Sequence, residues 1–93
     1  QDVGQLWENF ILAERLKTLE YSRIDSNKYF WRNHAQQEID YLEERNGEIH
    51  AFEFKWNPKA KARFSKSFTN EYHPSITNVI HRDNYSSFIL DQQ

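Results

Sequence analysis

An α/β fold, with a central mixed sheet flanked by helices, is what this chain of 93 residues predicts. Three observations lead there. An apolar row at helical spacing opens the chain, and an Asn46-Gly47 pair joins two alternating segments in its middle. Helix-like and strand-like stretches then follow one another to the end, giving the order helix, three strands, helix, strand, helix.

Residues Val3 to Leu19 read as the first helix, with Val3, Leu6, Trp7, Phe10 and Ala13 on one stripe and Asp2 able to cap the start. Tyr21 to Asn27 is polar and loop-like. Lys28 to Asn33 reads as a strand because Tyr29, Phe30 and Trp31 favour a pleated surface. Glu38 to Arg45 and Glu48 to Trp56 are two more strands, joined by Asn46-Gly47, a pair suited to the left-handed φ values of a type I′ turn. Pro58 stops the third strand. Ala60 to Asn70 reads as a second helix carrying Ala62, Phe64 and Phe68, and Pro74 closes that region. Ser75 to His81 is a fourth strand with Ile76, Val79 and Ile80. Asp83 or Asn84 caps a short last helix bearing Tyr85, Phe88, Ile89 and Leu90.

The length suits one compact domain, and an aromatic share of 16% assigns much of the core to large rings. A net charge of −2 excludes a generally basic nucleic-acid binder, so any such contact must come from a local patch. The chain has no cysteine, which removes disulfides and thiolate zinc sites and fits a reducing, cytoplasmic setting. No apolar run approaches membrane-spanning length. The chain opens at Gln1 and holds no methionine, which reads as a piece of a longer protein.

The two-residue turn sets the register of the hairpin. Arg45 then faces Glu48, Leu42 faces Ala51, Asp40 faces Glu53 and Glu38 faces Lys55. Alternation puts Asp40, Leu42, Ile49, Ala51, Glu53 and Lys55 on one face, and Ile39, Tyr41, His50, Phe52, Phe54 and Trp56 on the other. Both faces are apolar enough to be covered. Carboxylates directly opposite one another have Cβ atoms about 4.5–5.5 Å apart. Their repulsion would be relieved by a divalent cation, and hard oxygen donors suit Mg²⁺ or Mn²⁺. Lys55 projects beside Glu53 and reaches a bound water or phosphate. Periodicity alone does not separate this metal site from an ordinary solvated acidic face.

The pattern Asp40, then Glu53-Phe54-Lys55, resembles the PD-(D/E)xK motif of restriction-endonuclease-like nucleases, in which an earlier helix glutamate, here Glu8, is typical; Ile39 stands where the motif has its proline. Four blocks in order are similar to the DUF4143 family: Gly4-Gln5-Leu6-Trp7-Glu8-Asn9, Tyr29-Phe30-Trp31-Arg32, Gln37-Glu38-Ile39-Asp40 and Phe52-Glu53-Phe54-Lys55-Trp56-Asn57-Pro58. Phe68-Thr69-Asn70-Glu71-Tyr72 and Asn84-Tyr85 add to the likeness, which covers nearly the whole chain. The resemblance implies a restriction-endonuclease-like fold and a place as the C-terminal domain of a bacterial or archaeal AAA-type ATPase, whose ATP-binding module lies upstream. Gly4 and Gly47 are the only glycines, so this stretch holds no phosphate-binding P-loop. It further implies that Asp40 and Glu53, with the Phe54 carbonyl, hold the metal, that Lys55 orients the attacking water, and that Glu8 assists a second ion or ligand.

Lys59, Lys61, Arg63 and Lys66 follow Lys55 with no acid before Glu71, and Arg32 follows Trp31; all five are candidates for phosphate contacts with DNA or RNA, against the plainer roles of solvated cations and, for Arg32, a strand-edge ion pair. His34, His50, His73 and His81 show no ligand spacing. The functional expectation is metal-dependent phosphodiester hydrolysis of nucleic acid. The alternatives are a non-catalytic module that binds nucleic acid or protein beside an ATPase, and a purely structural or oligomerising domain.

Overall fold

A computed structural model describes residues 2–90 and gives the elements α1 (Val3–Tyr21), β1 (Asn27–Arg32), β2 (Glu38–Arg45), β3 (Glu48–Phe54), α2 (Lys66–Tyr72), β4 (Ile76–Ile80) and α3 (Tyr85–Leu90), in the expected order. The strands form one sheet in the order β1-β2-β3-β4. β1 pairs antiparallel with β2, and β2 with β3. Beside β3, the Ser75 N–H donates to the Ile49 carbonyl (2.8 Å) and the Lys55 N–H to the Ile80 carbonyl (2.9 Å), so β3 and β4 run the same way and the sheet is mixed.

The chain divides into two compact units, both discontinuous. One contains α1, residues 54–60 and α3. Here Asp2 caps α1, its carboxylate accepting from the Gln5 N–H at 2.7 Å. The buried row of α1 is Trp7, Ile11, Arg15 and Leu19, not the expected stripe; Val3, Leu6, Phe10 and Ala13 are exposed. The reason is Arg15. Its guanidinium donates to the Phe88 carbonyl (2.7 Å) and lies over the Phe88 ring, and the Thr18 hydroxyl donates to the Ile89 carbonyl. Two otherwise orphaned carbonyls at the end of α3 are thereby satisfied, which turns the helix so that a charged residue faces inward. Trp7 meets Trp56 and Tyr85 edge-on, and Phe54 meets Phe88.

The other unit contains β1, β2, most of β3, α2 and most of β4. Asn46 (φ 52°) and Gly47 (φ 80°) both adopt left-handed backbone, so the turn has the expected sign. The ladder follows, with Arg45 opposite Glu48, Leu42 opposite Ala51 and Tyr41 opposite Phe52. Residues of both faces are buried, Leu42 and Ala51 on one, Tyr41 and Phe52 on the other. Phe68 of α2 packs on Ile39, Leu42 and Ala51, with Trp31, Ile49 and Phe64 at the margin.

Two expectations are corrected in this unit. The second helix starts at Lys66 rather than Ala60; the Ser65 hydroxyl accepts from the Phe68 N–H and donates to Gln37, ending an irregular stretch that contains Lys61 and Arg63. Ile39, assigned to the face of Tyr41, packs instead with Leu42 and Ala51. Tyr29 pairs with Leu42 and Trp31 with Ile39, so two steps along β1 match three along β2, and β2 carries an extra residue. Such a bulge reverses the alternation of side chains across it.

Candidate functional site

The bulge falls at Asp40 and Tyr41, within the acidic segment singled out above. An extra residue interrupts the ladder and redirects backbone groups away from the neighbouring strand. Here the Asp40 N–H donates to Oε2 of Glu53 at 2.8 Å. A carboxylate therefore takes the place of a main-chain acceptor, which holds Glu53 against the backbone of Asp40. Glu53 is only 8% exposed and Asp40 is half-buried. The paired ladder ends at Tyr41 opposite Phe52, one step short of the predicted Asp40–Glu53 pair, so what joins the two acidic residues is a bond from the buried Glu53 side chain to the Asp40 backbone.

Beside Asp40 lies an open depression of about 360 Å³, lined by Phe30, Trp31, Arg32, Glu38, Ile39 and Asp40. Arg32 is exposed there and pairs with Glu38, donating from Nε at 2.9 Å, so it takes the strand-edge ion pair that its position suggested. Its charged lining is the Arg32–Glu38 ion pair and Asp40; Glu53 is not among the lining residues. Mg²⁺ commonly takes one or two carboxylates and keeps the rest of its shell as water. The Asp40–Glu53 pair fits that minimum set. Among the described residues no group of three or more histidine, aspartate or glutamate side chains gathers to form a closed metal cage.

Lys55 is half-buried just past the end of β3 and belongs, with Phe54, to the unit containing α1. Glu8 is half-buried on α1 in that same unit. The space over Gly4 is taken by the cap, since a Cβ there would stand 3.2 Å from an Asp2 carboxylate oxygen. Lys59, Lys61, Arg63 and Lys66 are all exposed.

Besides Arg15, a second buried charged group escaped the sequence reading. Glu43 is fully buried and accepts from the Tyr41 hydroxyl (2.8 Å) and from Arg45 (3.1 Å). The signal was present as Tyr, Glu and Arg at alternate positions of one strand, which places all three on one face. A carboxylate so deeply buried requires this kind of compensation.

The fold and the acidic pair define an α/β domain with a bulged hairpin at its centre. The chain belongs to the DUF4143 family: the model of that domain of unknown function matches residues 3–91. No curated protein and no solved structure matches the chain. Among the described residues no helix is long and apolar enough to cross a membrane.

Proposed function

We propose that this domain is a metal-dependent nuclease module acting on DNA or RNA, and that in the longer protein implied by the family resemblance it is the C-terminal part of an AAA-type ATPase. The observation that carries the reading is the clamp of the Glu53 carboxylate on the Asp40 N–H, at a bulge and out of bulk water. Asp40 and Glu53 would hold Mg²⁺ or Mn²⁺, with the Phe54 carbonyl as a further oxygen donor. When bound, the metal supplies charge stabilisation and a lowered water pKa. Asp40 and Glu53 orient the site, the bulge holding Glu53 in place before substrate arrives. Lys55, two residues on in the Glu-x-Lys spacing, would orient the water or neutralise phosphate charge. Glu8 would assist a second ion or ligand.

The test is cleavage of single- and double-stranded DNA and RNA with Mg²⁺ and with Mn²⁺, comparing wild type with Lys55→Ala. Loss of cleavage in a folded variant is expected; cleavage at the wild-type rate refutes the role of Lys55. A second reading, a non-catalytic nucleic-acid-binding module, is favoured by the exposure of Lys59, Lys61, Arg63 and Lys66. It predicts salt-dependent binding that is lost when these cations are replaced and indifferent to Asp40→Asn.

A further inference from the structure

A second cavity, about 420 Å³, opens in the same unit as the acidic pair, and its residues are not used in the proposed reaction. Cross-strand partners share a face, so Tyr29 lies with Leu42, and Glu44 lies with Asn27 and Ile49. Phe68 and, through it, Tyr72 (ring centroids 5.3 Å apart) place the end of α2 on this face, and Trp31 meets Phe68 edge-on at 5.4 Å. The cavity is lined by Leu42 and Ile49, by the rings of Tyr29, Phe30, Trp31 and Tyr72, and by Glu44. Tyr29 and Tyr72 are 50% and 42% exposed, so their rings remain available to a ligand.

The charge balance shows what the cavity would take. Glu43 also borders it, but its carboxylate is engaged by Tyr41 and Arg45. Glu14 and Glu38 have Lys17 and Arg32. Glu44 is half-buried, its one side-chain hydrogen bond comes from the neutral Asn27 amide (3.2 Å), and among the described residues no cation pairs with it. A carboxylate without a counter-ion in a cavity lined by aromatic rings attracts positive charge, through Coulomb attraction and, where a ring face is presented, through the ring quadrupole. The volume suits a small organic group. The geometry points to a binding site for an organic cation of the alkylammonium or guanidinium kind, separate from the proposed metal pair and independent of whether that pair is catalytic.

The test is an NMR titration of the chain following the aromatic resonances of Tyr29, Trp31 and Tyr72. The probes are choline, N-acetyl-arginine amide and N-acetyl-lysine amide, with 3,3-dimethyl-1-butanol as the uncharged isostere of choline and guanosine as a flat neutral ring. At least one cation is expected to bind with a Kd in the millimolar range and to shift these three residues. Glu44→Gln, which keeps the shape and the Asn27 bond, should weaken binding roughly tenfold, and Tyr72→Leu should weaken it while leaving the apolar volume. Asp40→Asn should leave it unchanged. Choline binding points to a free quaternary ammonium, and binding by the amino-acid amides alone to a side chain of a partner protein; either supports the site. Equal binding of the uncharged isostere, preference for guanosine, indifference to Glu44→Gln, or no shift with any cation overturns it.

Discussion

Asp40→Asn should make the metal-free protein more stable and the metal-loaded protein less stable than wild type. The substitution keeps the backbone N–H that donates to Glu53 at 2.8 Å and removes one of the two negative charges. The Glu53 carboxylate sits on the Asp40 N–H, and an aspartate carboxylate lies close to its own N–H, so the two charges are on the order of 5 Å apart. At an effective dielectric constant of about 20 their repulsion is about 3 kcal/mol. Asp40 is half-buried rather than enclosed, and screening by water and salt reduces this to about 1 kcal/mol. For a domain of about 100 residues that corresponds to a Tm rise of roughly 4–8 °C in EDTA. Mg²⁺ at a hundred times its Kd should stabilise wild type by about 2.7 kcal/mol and the variant far less. The order of the two Tm values therefore reverses on adding metal. The assay is thermal unfolding by circular dichroism in EDTA and in a Mg²⁺ series. A variant that melts below wild type in EDTA, together with a wild-type Tm indifferent to Mg²⁺, would refute the idea that these two carboxylates are held in mutual repulsion for a cation.

Other outcomes follow from the packing. Phe68→Ala empties the fully buried centre of the sheet-bearing unit and should cost about 3–5 kcal/mol, read as a lower urea midpoint or outright unfolding. Gly47→Ala meets nothing within 4 Å of the added Cβ, so only its φ of +80° matters; a loss of about 1–2 kcal/mol by urea unfolding is expected. Ser65→Ala removes the cap of α2, whose bond to the Phe68 N–H is long at 3.4 Å, and should cost about 0.5–1 kcal/mol with faster amide exchange in Lys66–Tyr72. Arg15→Met keeps the apolar stem but loses the donor to the Phe88 carbonyl; about 1.5–3 kcal/mol should be lost, with the amides of α3 exchanging faster.

Elements governed by short-range chemistry were legible in the sequence. Asn46-Gly47 gives both the turn and the pairing of Leu42 with Ala51, and Asp2 gives the start of α1. What eluded the reading depends on partners far along the chain. The inward face of α1 is decided by carbonyls of Phe88 and Ile89, and Arg15 counted as polar hides a row of buried residues that otherwise reads Trp7, Ile11, Leu19. The bulge at Asp40 has no composition of its own; it shows only when β1 is laid beside β2, and strict alternation therefore sent Ile39 to the wrong face. α2 was read from apolar spacing through Ala62 and Phe64, while the local competition was settled by the Ser65 hydroxyl. Within the acidic site, counting from the turn set Asp40 opposite Glu53, whereas the paired ladder ends at Tyr41–Phe52 and the bond between the two, side chain to backbone, was not legible.

The chain changes units between residues 25 and 26, 53 and 54, 60 and 61, and 79 and 80. Neither half is therefore a continuous piece of polypeptide, and no single cut releases one of them whole. Trimming α1 or α3 removes part of one unit and leaves stranded the linking residues 54–60, which interrupt the other. Dissection by truncation is unsuited to this protein, and point substitution is the way to assign its parts. Limited proteolysis should report the same stitching: an internal nick gives fragments that stay associated until denaturant is added.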